Sequence, residues 1–106
     1  MEGRRLPDAS ISELPNGLMP GDYWKVSDYN LGNFYLTSNL TRTVWGFYSP
    51  DGNGCGYLIA HTVREEDDGT ISVRPGDGSS NSILHSGGAD GKIWHGYIEH
   101  GIWNEC

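Results

Sequence analysis

Hydrophobic and polar residues alternate along most of this chain at the two-residue spacing of strands, in runs cut short by glycine, proline and asparagine. Residues 21–26, Gly-Asp-Tyr-Trp-Lys-Val, predict a short strand with Tyr23 and Lys25 on one face and Trp24 and Val26 on the other. Residues 43–49, Thr-Val-Trp-Gly-Phe-Tyr-Ser, predict a second strand. Between them, Asn30, Gly32, Asn33 and Asn39 predict turns around a short strand at 34–37. Residues 50–56, Pro-Asp-Gly-Asn-Gly-Cys-Gly, read as a turn cluster with four candidate positions for a positive φ.

The most legible unit is the hairpin at 58–75. A three-residue loop at Asp67, Asp68 and Gly69, with Gly69 left-handed, sets Glu66 opposite Thr70 and Val63 opposite Val73. That register collects Ile59, His61, Val63, Ile71 and Val73 on one face, whereas a two-residue turn splits the set, so burial favours the longer loop. The last fourteen residues predict a second hairpin with two possible registers. A three-residue loop at Glu99, His100 and Gly101 pairs Ile98 with Ile102 and His95 with Glu105, placing Trp94 and Ile98 in the core and Tyr97 and Trp103 together on the other face. A two-residue turn at His100 and Gly101 instead sets His95 across from Cys106, but it requires a positive φ at a histidine, so the three-residue loop is the expected register.

Residues 1–20 carry Pro7, Pro15, Pro20 and Gly17 among isolated apolar side chains, which predicts an irregular N-terminal arm ahead of a single β-rich domain over 21–106. Leu6, Ile11, Leu14, Leu18 and Met19 are available to pack along that domain or against a partner. The glycine- and serine-rich stretches after Pro75 read as loops, with no strand and helix around them to make a phosphate-binding turn. No repeat, heptad or amphipathic helix is visible.

Composition agrees with the pattern. The 106 residues make one domain, and sixteen glycines, five prolines and twelve aromatics suit short strands joined by turns, so the expected fold class is all-β. A formal charge of -7 leaves no diffuse attraction to phosphate backbones, which argues against direct nucleic-acid binding. No stretch reaches the length of a membrane span, and two arginines near the start precede no apolar run. Together with only two cysteines, this suggests a soluble cytosolic protein with no membrane association.

Candidate chemistry rests on four histidines and two cysteines. Cys55, His61, His95 and Cys106 supply enough nitrogen and sulfur to propose a zinc site, although their gaps are wider than the tight pairs of small zinc domains. Cys55 with His61 or His95 as base is a possible nucleophile, but it lies in a glycine-rich turn with no helix N-terminus and no oxyanion-hole signature. No catalytic residue is assigned. With more aromatics than a domain of this size needs inside, Tyr97 and Trp103 are the expected exposed anchors for a protein partner.

Three pieces in order, Asp67 to Pro75, Trp94 to Ile98 and His100 to Cys106, resemble a family of small uncharacterised proteins of actinobacterial phages. That family is similar in turn to the domain-of-unknown-function family numbered 6527, and the match covers about residues 45–106. The resemblance implies zinc binding in the cysteine-rich members, at positions matching Cys55, His95 and Cys106. Here the first cluster keeps one cysteine and residues 87–92 hold none, so a four-ligand site would recruit His61 or His85. The expected role is a phage-encoded, non-enzymatic accessory protein that binds a protein partner in the host cytoplasm. A zinc-stabilised domain and a minor virion component are the alternatives.

Overall fold

The computed structural model describes residues 1–30, 41–59, 61–73, 82–85 and 93–106. Among them the regular structure is all strand, with no helix, arranged as three small sheets. The first sheet runs β1 (Arg4–Arg5), β2 (Asp22–Asn30), β3 (Thr41–Tyr48), β4 (Cys55–Leu58). β5 (Arg64–Glu65) and β6 (Ile71–Ser72) form the second sheet. β7 (Ile83–His85), β8 (Trp94–Glu99) and β9 (Ile102–Glu105) form the third. The strand expected at 34–37 lies outside the described residues.

β2 and β3 form as the alternation predicts, and both of their faces are covered. Tyr23, Trp45, Phe47 and Leu58 face the second and third sheets, where Ile71, Val73, Ile83, Trp94, Ile98 and Trp103 complete the main core. Trp24, Val26 and Val44 face the other way and are covered by Leu6, Ala9, Ile11 and Leu18 of the N-terminal arm. Leu14 and Met19 stay exposed. The arm also contributes backbone pairing. β1 lies parallel to β2, and Ala9 bridges to Val26. Residues 1–3 run antiparallel along the edge of β9 through Gly3 N–H to Gly101 O at 2.7 Å and Trp103 N–H to Met1 O at 2.8 Å.

The 58–75 hairpin forms in the expected register. Glu66 N–H donates to Thr70 O, Arg64 pairs with Ser72, and Gly69 has a φ of 87°. Asp68 holds the loop by accepting the Thr70 N–H at 3.0 Å and the Thr70 hydroxyl at 2.6 Å, which keeps its carboxyl below the usual range. Its predicted apolar face is only partly formed. Ile71 and Val73 are buried with Val63 against them, but β4 ends at Leu58 because it pairs with β3, and Ile59 packs in the arm-side cluster instead.

The terminal hairpin corrects the expected register. Ile98 pairs with Trp103 and Glu99 with Ile102, closing a two-residue type I′ turn with φ values of 47° at His100 and 78° at Gly101. A one-residue slip of β9 turns its side chains over, and the realised phase puts the larger one, Trp103, inside. Its indole N–H donates to Gly21 O at 2.8 Å, and its ring meets Phe47 and Trp94 with centroids 5.8 and 5.5 Å away. The turn itself is seated: Gly101 N–H donates to Ile71 O, and a Cβ on Gly101 would stand 3.0 Å from the Tyr23 hydroxyl. Left-handed backbone at a histidine is accepted because the β5–β6 hairpin holds it there. His100 N–H donates to Ser72 Oγ at 2.9 Å and its ring lies 3.3 Å from Glu66.

Replacing His100 with asparagine, which enters left-handed backbone more readily, is expected to stabilise the protein by about 1 kcal/mol in urea unfolding. A loss of stability would contradict the type I′ turn. On the arm side, a Cβ at Gly46 would collide with the Trp24 indole ring. Gly46→Ala is therefore expected to cost about 1–3 kcal/mol in the same experiment.

Candidate functional site

The realised register decides which side chains the third sheet shows to solvent. Along β8, Trp94, Gly96 and Ile98 point to the core while His95, Tyr97 and Glu99 point away from it. On β9, Trp103 and Glu105 share the side of Ile98 and Gly96, leaving Ile102, Asn104 and Cys106 with the outward set. Leu84 of β7 stands beside His95 on the same outward face. Leu84 is 65% exposed and Ile102 42%, and Ile93, in phase with His95 just before β8, is 64% exposed. Both faces of the first sheet pack against core clusters, and among the described residues this outward face of the third gathers three of the six exposed large hydrophobics.

Tyr97 lies on this face, half-buried, opposite Asn104. Trp103 does not. It is 3% exposed and points into the core, so the expected shared patch of Tyr97 and Trp103 is corrected to Tyr97 with Leu84, Ile93 and Ile102. Ile93 shares the outward parity of His95 and Tyr97 in the sequence, Leu84 joins them only through the pairing of β7 with β8, and Ile102 only once the turn is known to hold two residues.

The proposed zinc ligands are not gathered. His95 and Cys106 do lie across from each other, with Cys106 N–H donating to His95 O at 2.9 Å. His95 Nε2 shares a hydrogen bond with Ser82 Oγ at 3.0 Å, and His61 Nε2 donates to Ser82 O at 3.0 Å. Cys55 is elsewhere, packed with the Trp24 cluster on the arm side of the first sheet. Among the described residues no three histidine, cysteine, aspartate or glutamate side chains are placed to hold one metal ion. The facing pair gives two donors where a structural zinc takes four, so neither the set from the sequence nor the one implied by the resemblance fits a site within this chain. Burial pushes the Cys55 thiol up, which disfavours the thiolate that a nucleophile needs. His85 stacks edge-on against Phe47 with its centroid 5.4 Å away, in the core rather than in a donor cluster.

No family model, curated protein or solved structure matches this chain.

A concave surface of about 410 Å³ lies beside the first sheet, lined by Lys25, Thr43, Trp45, Leu58, His61, Val63 and Glu65. Its charges are already engaged. Glu65 accepts from Lys25 Nζ at 2.8 Å and from Arg5 Nη1 at 2.9 Å, while both cations stand over the Trp45 ring, 5.5 and 4.9 Å from its centroid. This cluster ties the arm to β2 and to the β5–β6 hairpin. The hydrogen bonds from Lys25 and then Arg5 hold the Glu65 carboxyl below the usual carboxylate range.

The Glu65 contribution is full above the ordinary glutamate pKa and disappears as pH falls through the lowered one, because protonation releases both cations. NMR titration of the side-chain carboxyl is expected to give a midpoint below that of an exposed glutamate, moving up in Lys25→Met. A midpoint unmoved by that substitution would rule out the ion pair as its cause.

Proposed function

We propose that this protein is a small, non-enzymatic, phage-encoded accessory protein that binds a protein partner in the host cytoplasm through the outward face of β7, β8 and β9. The observation that carries this reading is the distribution of exposed apolar side chains. Of the six large hydrophobics exposed among the described residues, Leu84, Ile93 and Ile102 share that face, with Tyr97 between them. A flat strand surface of this kind offers apolar contact from rigid backbone, and tyrosine adds an amphipathic anchor at little cost in side-chain entropy. Two of the five arginines, the adjacent Arg4 and Arg5, are engaged with Asp22 and Glu65 and so offer no free basic pair to nucleic acid. The competing nucleophile reading is weakened by the half-buried, high-pKa Cys55.

Photo-cross-linking in cells tests the proposal. A cross-linking amino acid at position 102 or 84 is expected to give one discrete adduct, the same at both positions, while the same group at Asp67 gives none. Adding Tyr97→Asp should reduce the adduct at least about tenfold, as removal of a central anchor does. Absence of a discrete adduct at both outward positions, or equal labelling at position 67, would overturn the reading.

A further inference from the structure

On either side of Trp24 the N-terminal arm is fastened to β2. Ala9 bridges to Val26 and its N–H donates to Lys25 O at 3.0 Å. Met19 N–H donates to Asp22 Oδ2 at 2.9 Å, and Met19 O accepts from Asp22 N–H at 3.0 Å. The chain between these anchors passes over the cluster of Trp24, Val26 and Val44, against which Leu18 packs. We propose that residues 12–18 are a lid that opens and exposes Trp24 while the sheet beneath stays folded.

Little holds this segment down. Among the described residues its own backbone hydrogen bonds stay within the arm, from Ser12 N–H to Ser10 Oγ and from Glu13 N–H to Ser10 O. Gly17 O accepts from the Arg4 guanidinium at 3.2 Å, in a bond exposed to water. Pro15 and Leu18 are half-buried and the other five residues are exposed. Gly17 turns the chain with a φ of 67°, and a Cβ there would meet no atom within 4 Å. A closed surface loop with few buried contacts and no ladder to its neighbours belongs to the least stable part of a fold.

What lies beneath favours opening. Trp24 is 0% exposed, with its ring laid across Gly46 of β3. Its indole N–H has no acceptor among the described residues, whereas Trp103, 3% exposed, gives its own to Gly21 O. A buried donor without an acceptor has lost its water and gained no bond, so exposure restores one and favours the open form by about tenfold over a satisfied indole. The lid thus withholds an apolar surface with one hydrogen-bond donor. That surface lies on the arm side of β2 and β3, apart from the outward face of the third sheet.

NMR hydrogen exchange of the indole N–H groups in the full chain tests this, with Trp103 as the internal reference. Trp24 is expected to exchange at least about 100-fold faster than Trp103, at a rate that stays flat in urea below the unfolding transition because lid opening exposes little surface. Trp103, released only with the main core, should accelerate with urea. Leu18→Ala, which weakens the closed lid, should speed Trp24 about tenfold. Ile98→Val, which weakens the main core in both lid positions, should speed Trp103 about fivefold and leave Trp24 unchanged. Equal rates and urea dependence for the two indoles, acceleration of Trp24 by Ile98→Val, or no acceleration by Leu18→Ala would overturn the proposal.

Discussion

The inward orientation of Trp103 is the constraint on which the rest of the structure depends. Its indole N–H reaches Gly21 O, at the entry to β2, and its ring touches Phe47 of β3 and Trp94 of β8. Its backbone exchanges hydrogen bonds with Met1. One residue near the end of the chain thus joins the first sheet, the third sheet and the N-terminus. A buried tryptophan contributes by area, but its N–H must also find an acceptor, so it demands one orientation where a leucine would accept several. The close packing around it follows: a Cβ on Gly3 would lie 2.8 Å from both Trp103 Nε1 and Gly21 O.

Small all-β domains have difficulty burying enough apolar surface, and this one solves the problem by using both faces of β2 and β3. One face receives the two smaller sheets and the other receives the arm, which lacks regular structure beyond β1 but supplies four apolar side chains and the edge pairing of β9. Arg4 makes two bonds to the buried Asp22 carboxylate, and Arg5 reaches Glu65 and Gly69 O. The arm is therefore bound by packing, backbone pairing and charge together. Removing charge from the Glu65 cluster loosens one of three attachments.

The same phase of β9 that buries Trp103 exposes Ile102, and with it the face on which the proposed function rests. Core and surface are thus two consequences of one register. Among the described residues no third donor is placed to join His95 and Cys106 around one metal ion, and Cys55 is held apart from them on the arm side.

By itself the sequence determined the all-strand class, the two faces of β2, the strand at β3 and the Asp67–Gly69 loop. In each, local chemistry and burial demand the same answer: alternation gives the faces, and glycine supplies the positive φ. Tyr97 as an outward residue was legible too, because either register of the terminal hairpin leaves it pointing away from Ile98. The register itself was not. Local preference disfavours left-handed backbone at His100, and only contacts distant in sequence oppose that cost: Ser72 and Ile71 holding the turn, and Gly21, Phe47 and Trp94 receiving Trp103. Ile59 left its expected face for a similar reason, since β4 pairs with β3 and not with the following hairpin. Tertiary structure decided these positions because a local backbone penalty of about 1–2 kcal/mol is smaller than what burying a tryptophan with a satisfied N–H contributes.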